Sequence, residues 1–324
     1  QVSANDLMKD VPAKTVDILP DMDAGASAAA DFGVRLFQIS MEEGKNTLIS
    51  PLSVLYALAM TTNGADGETL AQMEQVLGME SDELNCYMRA YLDLLPESEK
   101  YKMSLANSIW FKDDPNFIVE QSFLQTNADY YGAAAYKAAF DEGTSNDINK
   151  WVKEHTDGMI PEILDEIPNE AIMYLVNALA FEAEWADVYE KHQIREGSFT
   201  MEDGTWQDVD MMHSQEYTYL EDDMATGFIK FYKDNRYAFV AMLPNEGVSV
   251  QQYVNSLTGE HLRSLLNNPQ DITVYASMPK FEMEYDIEMS EVLQEMGMTN
   301  AFDWKIADFS KLGTYNVDGM NICI

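Results

Sequence analysis

The amino-acid sequence predicts an α+β fold in which helices dominate the N-terminal half and strands the C-terminal half. Apolar residues recur at helical spacing in several early segments, and short apolar or alternating runs follow later. Helices and strands do not alternate regularly along the chain, which disfavours a doubly wound parallel sheet. With 324 residues, the chain can bury a large core without disulfides or metals.

Helices are predicted where apolar spacing coincides with a capping signal. One begins near Gly25 and carries Phe32 and Leu36 on its apolar side. The next begins at Pro51, because Ser50 can cap it and proline suits the first helical position. This second helix is apolar on every side, which predicts that it is buried.

Two further helices have recognisable ends in the sequence. Thr69 and Gln72 have the spacing of a capping box, and Gly78 would end the helix that follows them. Ser145 is predicted to cap another helix, which would stop at Gly158.

Strands are predicted at three places. Residues 172–181 form an apolar run that is too short for a surface helix, which predicts a strand covered on both faces. Residues 237–243 and 272–278 also have the pattern of strands. A late helix over residues 289–296 is expected to stop at Gly297.

The chain is strongly acidic. Twenty Lys and Arg against 56 Asp and Glu give a formal net charge of −36. Nucleic acids and anionic membranes require a positive protein surface, so we expect neither as a partner and expect attraction to basic macromolecules instead. No apolar run reaches the ~18 residues that would span a bilayer.

Disulfide and metal chemistry are not indicated. The two cysteines, Cys86 and Cys323, are too few for a disulfide scaffold, although a bridge between them stays open. The four histidines have no Cys or His partner at ligand spacing. We therefore expect no metal and no cofactor.

The first residues bear on localisation. The start, Gln1-Val-Ser-Ala, lacks the basic and apolar segments of a signal peptide, which fits either a cytoplasmic protein or a processed one. The absent initiating methionine favours processing or engineering, and we expect a secreted or extracellular protein. Residues 1–24, with Pro12 and Pro20, are interpreted as an extension before the core.

The sequence contains none of the common catalytic or nucleotide-binding motifs, and its many carboxylates single out no pair. One polar set is unusual, because Asn177 interrupts an apolar strand while Ser50 and Ser53 begin a helix expected to be buried. Buried polar groups need hydrogen-bond partners. The three residues are either a strand-end asparagine, a cap and an exposed helix start, or a functional cluster.

A series of short motifs runs in order from about residue 30 to residue 310. They include Asn46-Thr-Leu-Ile-Ser50-Pro51-Leu-Ser53, Gly64-Ala65-x-Gly67-x-Thr69-x-x-Gln72, Ala106-Asn107-Ser108-Ile109-Trp110, Leu175-Val176-Asn177-Ala178 with Phe181 and Trp185, Pro279-Lys280-Phe281, and Ala307-Asp308-Phe309-Ser310. Together they resemble the serpins, the serine-protease-inhibitor superfamily, and a prokaryotic member in particular. Each motif is weak alone, and their collinear order carries the resemblance.

The resemblance implies a serpin domain over residues 25–324, with three β-sheets and eight or nine helices. It also implies a mechanism in which a serine protease cuts an exposed reactive-centre loop and forms an acyl-enzyme. The cut loop then inserts into the large sheet and distorts the protease. Such a protein is a monomeric inhibitor that is consumed, and it is not an enzyme.

The resemblance also implies roles for individual residues. The family's shutter region, a polar cluster under the centre of the large sheet, corresponds to Asn46, Ser50, Ser53 and Asn177. Its breach region, where insertion begins, corresponds to Trp185 and Lys280. Within the shutter we expect Asn177 to hydrogen-bond to groups near Ser50 and Ser53.

The chain departs from the family pattern at two places. Glu182-Ala183 replace the family's Lys-Gly. A strand of the large sheet, the hinge, the reactive-centre loop and C-terminal core strands would follow Ile324, outside this sequence. We therefore expect the domain to be incomplete at its C-terminus. The alternatives are an inhibitory serpin, a non-inhibitory serpin with a carrier, chaperone or storage role, an inactive truncated or cleaved form, and an unrelated acidic enzyme.

The expected partner is a serine protease of elastase-like or trypsin-like specificity, with a basic surface that complements the acidic chain. Some serpins are accelerated by heparin through a basic helix. The corresponding stretch here, residues 79–100, is acidic, so no heparin effect is expected.

Overall fold

The structure is a computed structural model that describes residues 3–95, 97–98, 101–168, 171–233, 235–283, 285, 287–317 and 321–324. Within these residues, nine α-helices and three β-sheets are observed, which confirms the predicted α+β class and the expected number of elements. Six of these helices precede residue 156, so the bias of helices toward the N-terminal half is also confirmed.

The helices lie in two groups along the chain. The first group contains α1 (Met22–Ser40), α2 (Pro51–Thr62), α3 (Gly67–Leu77), α4 (Ser81–Asp93), α5 (Gln121–Tyr131) and α6 (Glu142–His155). The second group contains α7 (Val250–Ser256), α8 (Gly259–Asn267) and α9 (Ser290–Met296).

The strands are concentrated after residue 100. They are β1 (Asn5–Asp6), β2 (Glu97–Ser98), β3 (Tyr101–Lys112), β4 (Phe117–Val119), β5 (Ala134–Ala138), β6 (Met173–Ala183), β7 (Ile194–Thr200), β8 (Trp206–Glu221), β9 (Ala225–Phe231), β10 (Ala238–Pro244), β11 (Gln270–Pro279) and β12 (Gly313–Tyr315).

The large sheet is built around β3. β3 pairs with β6 along one side, and with β5 and the short β2 along the other. β5 runs parallel to β3 and carries β1 on its far side, whereas β6 runs antiparallel. Among the described strands, β6 therefore lies at one edge of this sheet, and β1 and the short β2 lie at the other.

The second sheet has the order β10-β9-β8-β11, with β7 pairing the first half of β8. All its pairings are antiparallel, and β8 is long enough to bind different partners along its length. A third, two-stranded sheet joins β12 to β4.

The core covers both faces of the large sheet. On one face, the main cluster packs Phe32, Tyr56, Phe111 and many other apolar side chains between the sheet and helices α1–α5. On the other face, Trp110 and Trp151 join a second cluster beneath α6. The prediction that residues 172–181 form a strand covered on both faces is confirmed.

The N-terminal extension lies against the body of the domain. β1 adds a short strand beside β5, and the Leu7 N–H donates to the Ala135 carbonyl at 2.9 Å. Val11 is buried in the main core cluster. The Lys14 N–H donates to Asp129 Oδ1 at 2.7 Å, so the segment before α1 is tied to the domain by backbone bonds and by an apolar side chain.

The predicted helix ends are confirmed at Ser50 and Gly78. Ser50 Oγ accepts a hydrogen bond from the Ser53 N–H, and Pro51 begins α2. Gly78 ends α3 in the left-handed conformation, with φ of 74°, which glycine adopts without steric cost.

The predicted capping box at Thr69 is wrong. α3 begins at Gly67, and Thr69 Oγ1 instead accepts from the Asp308 N–H at 2.9 Å. Gln72 Oε1 accepts from the Asn300 N–H at 2.8 Å. Both side chains are used to bind the C-terminal part of the chain, so they do not cap their own helix.

The predicted cap of α6 is also wrong. The helix begins at Glu142, because Asp141 accepts from the Thr144 N–H in a reciprocal capping box. Ser145 lies inside the first turn and donates to the Glu142 carbonyl.

Neither a disulfide bridge nor a metal site is found in the described residues. Cys86 and Cys323 are free thiols, so the bridge left open by the sequence is not formed. In the described part of the chain, no three His, Cys, Asp or Glu side chains are grouped to hold a metal ion. None of the described helices is long and apolar enough to cross a membrane.

Candidate functional site

The edge strand β6 is the central element of the candidate site. It pairs with β3 over eleven consecutive residues, from Tyr101 opposite Ala183 to Phe111 opposite Met173. In the part of the chain that the structure describes, no strand pairs with its other edge. A long edge of this kind presents a row of backbone N–H and C=O groups that can template another strand.

A buried asparagine pair lies at the middle of this strand. Asn177 on β6 faces Asn107 on β3, and its Nδ2 donates to Asn107 Oδ1 at 2.8 Å. Asn107 is only 3% exposed and donates in turn to the Tyr131 carbonyl at 3.2 Å. The amide of the edge strand is thereby tied to β3 and to the end of α5.

Asn177 Oδ1 is buried and accepts no hydrogen bond from any described residue. A carbonyl-type oxygen in this state is costly, because burial removes it from water without giving it a donor. Within the described residues, the site therefore combines a strand edge that pairs with no other strand and a buried acceptor at the centre of that strand that has no donor.

The polar network continues beneath the sheet from Tyr131. The Tyr131 hydroxyl donates to Asn85 Oδ1 at 2.6 Å, and Asn85 Nδ2 donates to Asn63 Oδ1 at 2.8 Å. Burial raises the pKa of Tyr131 well above its ordinary range, so the phenol stays a hydrogen-bond donor. Asn85 of α4 and Asn63, which caps the C-terminus of α2, are thus connected to α5, whose last residue accepts the hydrogen bond from Asn107.

The structure does not bring the four predicted shutter residues into one hydrogen-bonded group. Ser50 and Ser53 contact each other, with Ser50 Oγ donating to Ser53 Oγ at 3.1 Å, and Ser50 is exposed. Asn46 lies exposed in the connection between α1 and α2. The expected hydrogen bond from Asn177 toward Ser50 and Ser53 is wrong, because its Nδ2 is taken by Asn107 and its Oδ1 accepts from no described residue.

Asn107 is the residue that the sequence reasoning missed. It lies inside one of the short motifs that carry the family resemblance. The signal that marked Asn177, a carboxamide inside an apolar strand, was equally present in Ala106-Asn107-Ser108-Ile109-Trp110.

The two predicted breach residues are held by different elements. Trp185 follows β6 in an isolated antiparallel bridge to Tyr232, and the two rings stack at a centroid distance of 4.5 Å. Lys280 is exposed after β11, where its N–H donates to the Asp210 carbonyl of β8 at 2.8 Å. Trp185 therefore joins the end of β6 to the second sheet.

These features define a class of protein, namely an α+β domain with a large mixed sheet in which β6 is an edge among the described strands. The family model described as serpin (serine protease inhibitor) matches residues 27–321. This match covers most of the chain, and the chain belongs to the serpin family. The predicted family and fold are confirmed.

Solved structures and curated proteins give the same assignment. The crystal structure of the thermophilic serpin tengpin in its native state is 47% identical, with a TM-score of 0.95 over 100% of this chain and 83% of that chain. The latent state of tengpin gives a TM-score of 0.87 over 96% of this chain and 84% of that chain, at 48% identity. Leukocyte elastase inhibitor from Equus caballus is 28% identical over 89% of this chain and 80% of its own length.

Proposed function

We propose that the protein is a suicide-type inhibitor of a serine protease. The protease cuts the inhibitor's reactive-centre loop and is trapped when that loop inserts beside β6. The observation that carries this proposal is the edge strand itself. Within the described residues, no strand pairs with the second edge of β6 along its eleven residues, and the buried Asn177 Oδ1 at its centre accepts no hydrogen bond.

Insertion of a strand at this edge would release free energy. About half of the residues of an antiparallel edge point their N–H and C=O groups outward, so an eleven-residue edge offers roughly ten hydrogen bonds. At about 1 kcal/mol net per bond, insertion would contribute on the order of 10 kcal/mol before the entropy of ordering the loop is subtracted. Ordering the loop costs about 1–2 kcal/mol per residue, so burial of its apolar side chains must add to these hydrogen bonds for insertion to be favourable.

The covalent step is ordinary serine-protease chemistry. The protease hydroxyl attacks the scissile carbonyl of the loop, an ester to the protease forms, and the peptide bond breaks. The departing amine takes the proton that the hydroxyl loses. The inserted loop would then separate the ester from the groups that hydrolyse it, so both proteins stay joined.

The overall similarity to tengpin supports an arrangement that precedes insertion. The chain matches the native state with a TM-score of 0.95, against 0.87 for the latent state. An inhibitor that works by insertion must be kept in such a native arrangement until the protease arrives.

Charge supports a basic protease as the partner. The net charge of −36 would attract a positive protein surface and repel polyanions. Helix α4 has the same acidic character. Asp82 and Glu83 lie in its first turn, and its Arg89 is paired with Asp93 at 2.8 Å. Glu99 and Lys100, at the end of the stretch compared with heparin-binding serpins, lie outside the described residues. We further propose that the inhibitor is monomeric and extracellular and that it needs no heparin and no cofactor. Elastase-like and trypsin-like proteases are the candidate targets.

The experiment mixes the protein that carries the reactive loop with trypsin-like and elastase-like proteases and analyses the products on denaturing gels. The expected product is an adduct of summed mass that survives detergent. The matched control is each protease with its catalytic serine replaced by alanine, which cannot form the ester and should give no adduct.

Cleaved protein without an adduct, at every ratio and with every protease, would contradict the proposal. That result would favour a non-inhibitory serpin with a carrier, chaperone or storage role. Protein that is neither cleaved nor joined would indicate an inactive form.

A further inference from the structure

A buried ion pair lies close to the end of β6. Lys230 on β9 is 2% exposed and Glu216 on β8 is 8% exposed. Lys230 Nζ donates to Glu216 Oε1 at 2.7 Å. Two opposite charges have therefore been removed from water together inside the second sheet, where apolar side chains would cost less to bury.

Aromatic rings cover the lysine. Its Nζ lies 5.6 Å from the centre of the Trp185 ring and 4.7 Å from the centre of the Tyr189 ring. Both distances are within the ~6 Å range of a cation–π interaction, and burial strengthens such an interaction. The ammonium group of Lys230 thus attracts both rings, and its hydrogen bond to Glu216 fixes the position of that ammonium group.

Trp185 is also the point where the edge strand meets the second sheet. It pairs with Tyr232 just beyond β9, and its ring meets Phe239 of β10 edge-on at 6.0 Å. Backbone bonds on either side, from the Ala186 N–H to the Phe231 carbonyl at 3.0 Å and from the Lys233 N–H to the Glu184 carbonyl at 2.9 Å, complete the junction.

We propose that Lys230 and Glu216 are positioning residues for strand insertion, because they fix Trp185 and with it the end of β6 that receives the incoming strand. This inference rests on the proposed function and names the residues that control its efficiency. Neither residue touches the protease or the scissile bond.

Stability alone does not account for the pair. Buried ion pairs can often be replaced by apolar residues of similar size with no loss of stability. The pair fixes the position of the Trp185 ring instead. A cation beneath the ring attracts it to one place, whereas an aliphatic side chain would let the ring shift. A fixed Trp185 keeps the end of β6 in one place, so the first residues of the loop can pair in the correct register.

The test compares a paired replacement with a matched control. Lys230→Met combined with Glu216→Leu removes both buried charges and leaves no charge unpaired, so this variant is expected to fold. Lys137→Met combined with Asp113→Leu removes the more exposed pair on the large sheet, whose Nζ–Oδ1 distance is 3.2 Å. Lys230→Met alone would leave the Glu216 charge buried without its partner, and it serves only as a comparison.

Two quantities are measured for each variant: the melting temperature and the number of inhibitor molecules consumed per protease trapped. For the paired Lys230/Glu216 replacement we expect a melting temperature close to that of the unchanged protein. The number consumed per protease should rise by about threefold to tenfold, because a lost cation–π contact of this kind changes a rate constant by that order. The control pair should change neither quantity.

An unchanged number of molecules consumed in the Lys230/Glu216 replacement would overturn this inference while leaving the proposed function intact. An equal rise in the control pair would also overturn it, because the effect would then not depend on Trp185. A complete absence of adduct with the unchanged protein would overturn the proposed function and this inference together, so the two failures are distinguishable.

Discussion

Replacement of Asn177 by leucine tests the asparagine pair at the centre of the edge strand. The variant keeps the same number and branching of heavy side-chain atoms but removes the Nδ2 donor that Asn107 Oδ1 uses at 2.8 Å. Because Asn107 is 3% exposed, water cannot replace that donor. Its oxygen would be left buried and unpaired.

The size of the effect follows from two opposing changes. Leaving a buried acceptor without its donor costs about 1–3 kcal/mol. Removing the Asn177 Oδ1, which already lacks a donor from the described residues, returns part of that cost. We therefore expect a net loss of about 1–2 kcal/mol, a roughly five- to thirtyfold change in the folding equilibrium constant.

The expected outcome is more than a lower melting temperature, because the proposed native state is only kinetically protected. A weaker tie between β6 and β3 should let the large sheet open without a protease, and open edges join other molecules. After mild heating for hours, native gels of Asn177→Leu should show a ladder of oligomers, and the inhibitory capacity should fall while the unchanged protein keeps it.

Asn46→Leu is the matched control, because it makes the same chemical change at an exposed position. It should change the unfolding free energy by less than about 0.5 kcal/mol. The reasoning would be refuted if Asn177→Leu stayed monomeric and unfolded at the same urea concentration as the unchanged protein. A double-mutant cycle with Asn107→Leu should show coupling between the two positions, since each single replacement removes the same hydrogen bond.

Three further measurements test the surface charge, the hydrogen bond of Tyr131 and the carboxyl group of Asp222. Association with a basic protease should slow as salt is raised and should not be accelerated by heparin; a rate independent of ionic strength, or tight heparin binding, would contradict the role of charge. Tyr131→Phe should lower the unfolding free energy by about 1 kcal/mol in urea, because Asn85 Oδ1 loses the Tyr131 donor at 2.6 Å and keeps the Asn63 Nδ2 donor at 3.1 Å, whereas Tyr275→Phe at an exposed site should have no effect. Burial alone would raise the pKa of Asp222, yet hydrogen bonds from His261 and from backbone N–H groups lower it below the ordinary carboxyl value. The stability from Asp222 is therefore present above the unfolded pKa of about 4 and is lost as pH falls through the lower folded value, so Asp222→Asn should flatten the acid side of the stability profile, and an unchanged acid limb would be inconsistent with this.

Local elements were predictable because their signals are local. The cap at Ser50, the proline that follows it and the terminating Gly78 each act within one helical turn. The apolar run of β6 predicted a covered strand for the same reason, since burial on both faces leaves few polar positions in the sequence. Ordered motifs across the chain were enough to identify the family.

Side chains with two possible uses were not predictable from local spacing. Thr69 and Gln72 have the spacing of a capping box, but the folded chain brings Asp308 and Asn300 to them. A helix cap and a tertiary hydrogen bond compete for the same oxygen. Which of the two forms depends on how the C-terminal part of the chain packs, and sequence spacing does not contain that information.

The candidate site shows most clearly which features the sequence predicts and which depend on the tertiary structure. An asparagine inside an apolar strand was visible as an anomaly at Asn177, because burying a carboxamide requires a partner. Its partner Asn107 lies 70 positions earlier in the chain and faces it only through the register of β3 against β6. The meeting of Lys230, Glu216 and Trp185 likewise depends on strand order in the second sheet and on the bridge that follows β6. The chemistry of a residue requires that a buried polar group has a hydrogen-bond or ion-pair partner. Which residue becomes that partner depends on strand pairing between segments far apart in the sequence.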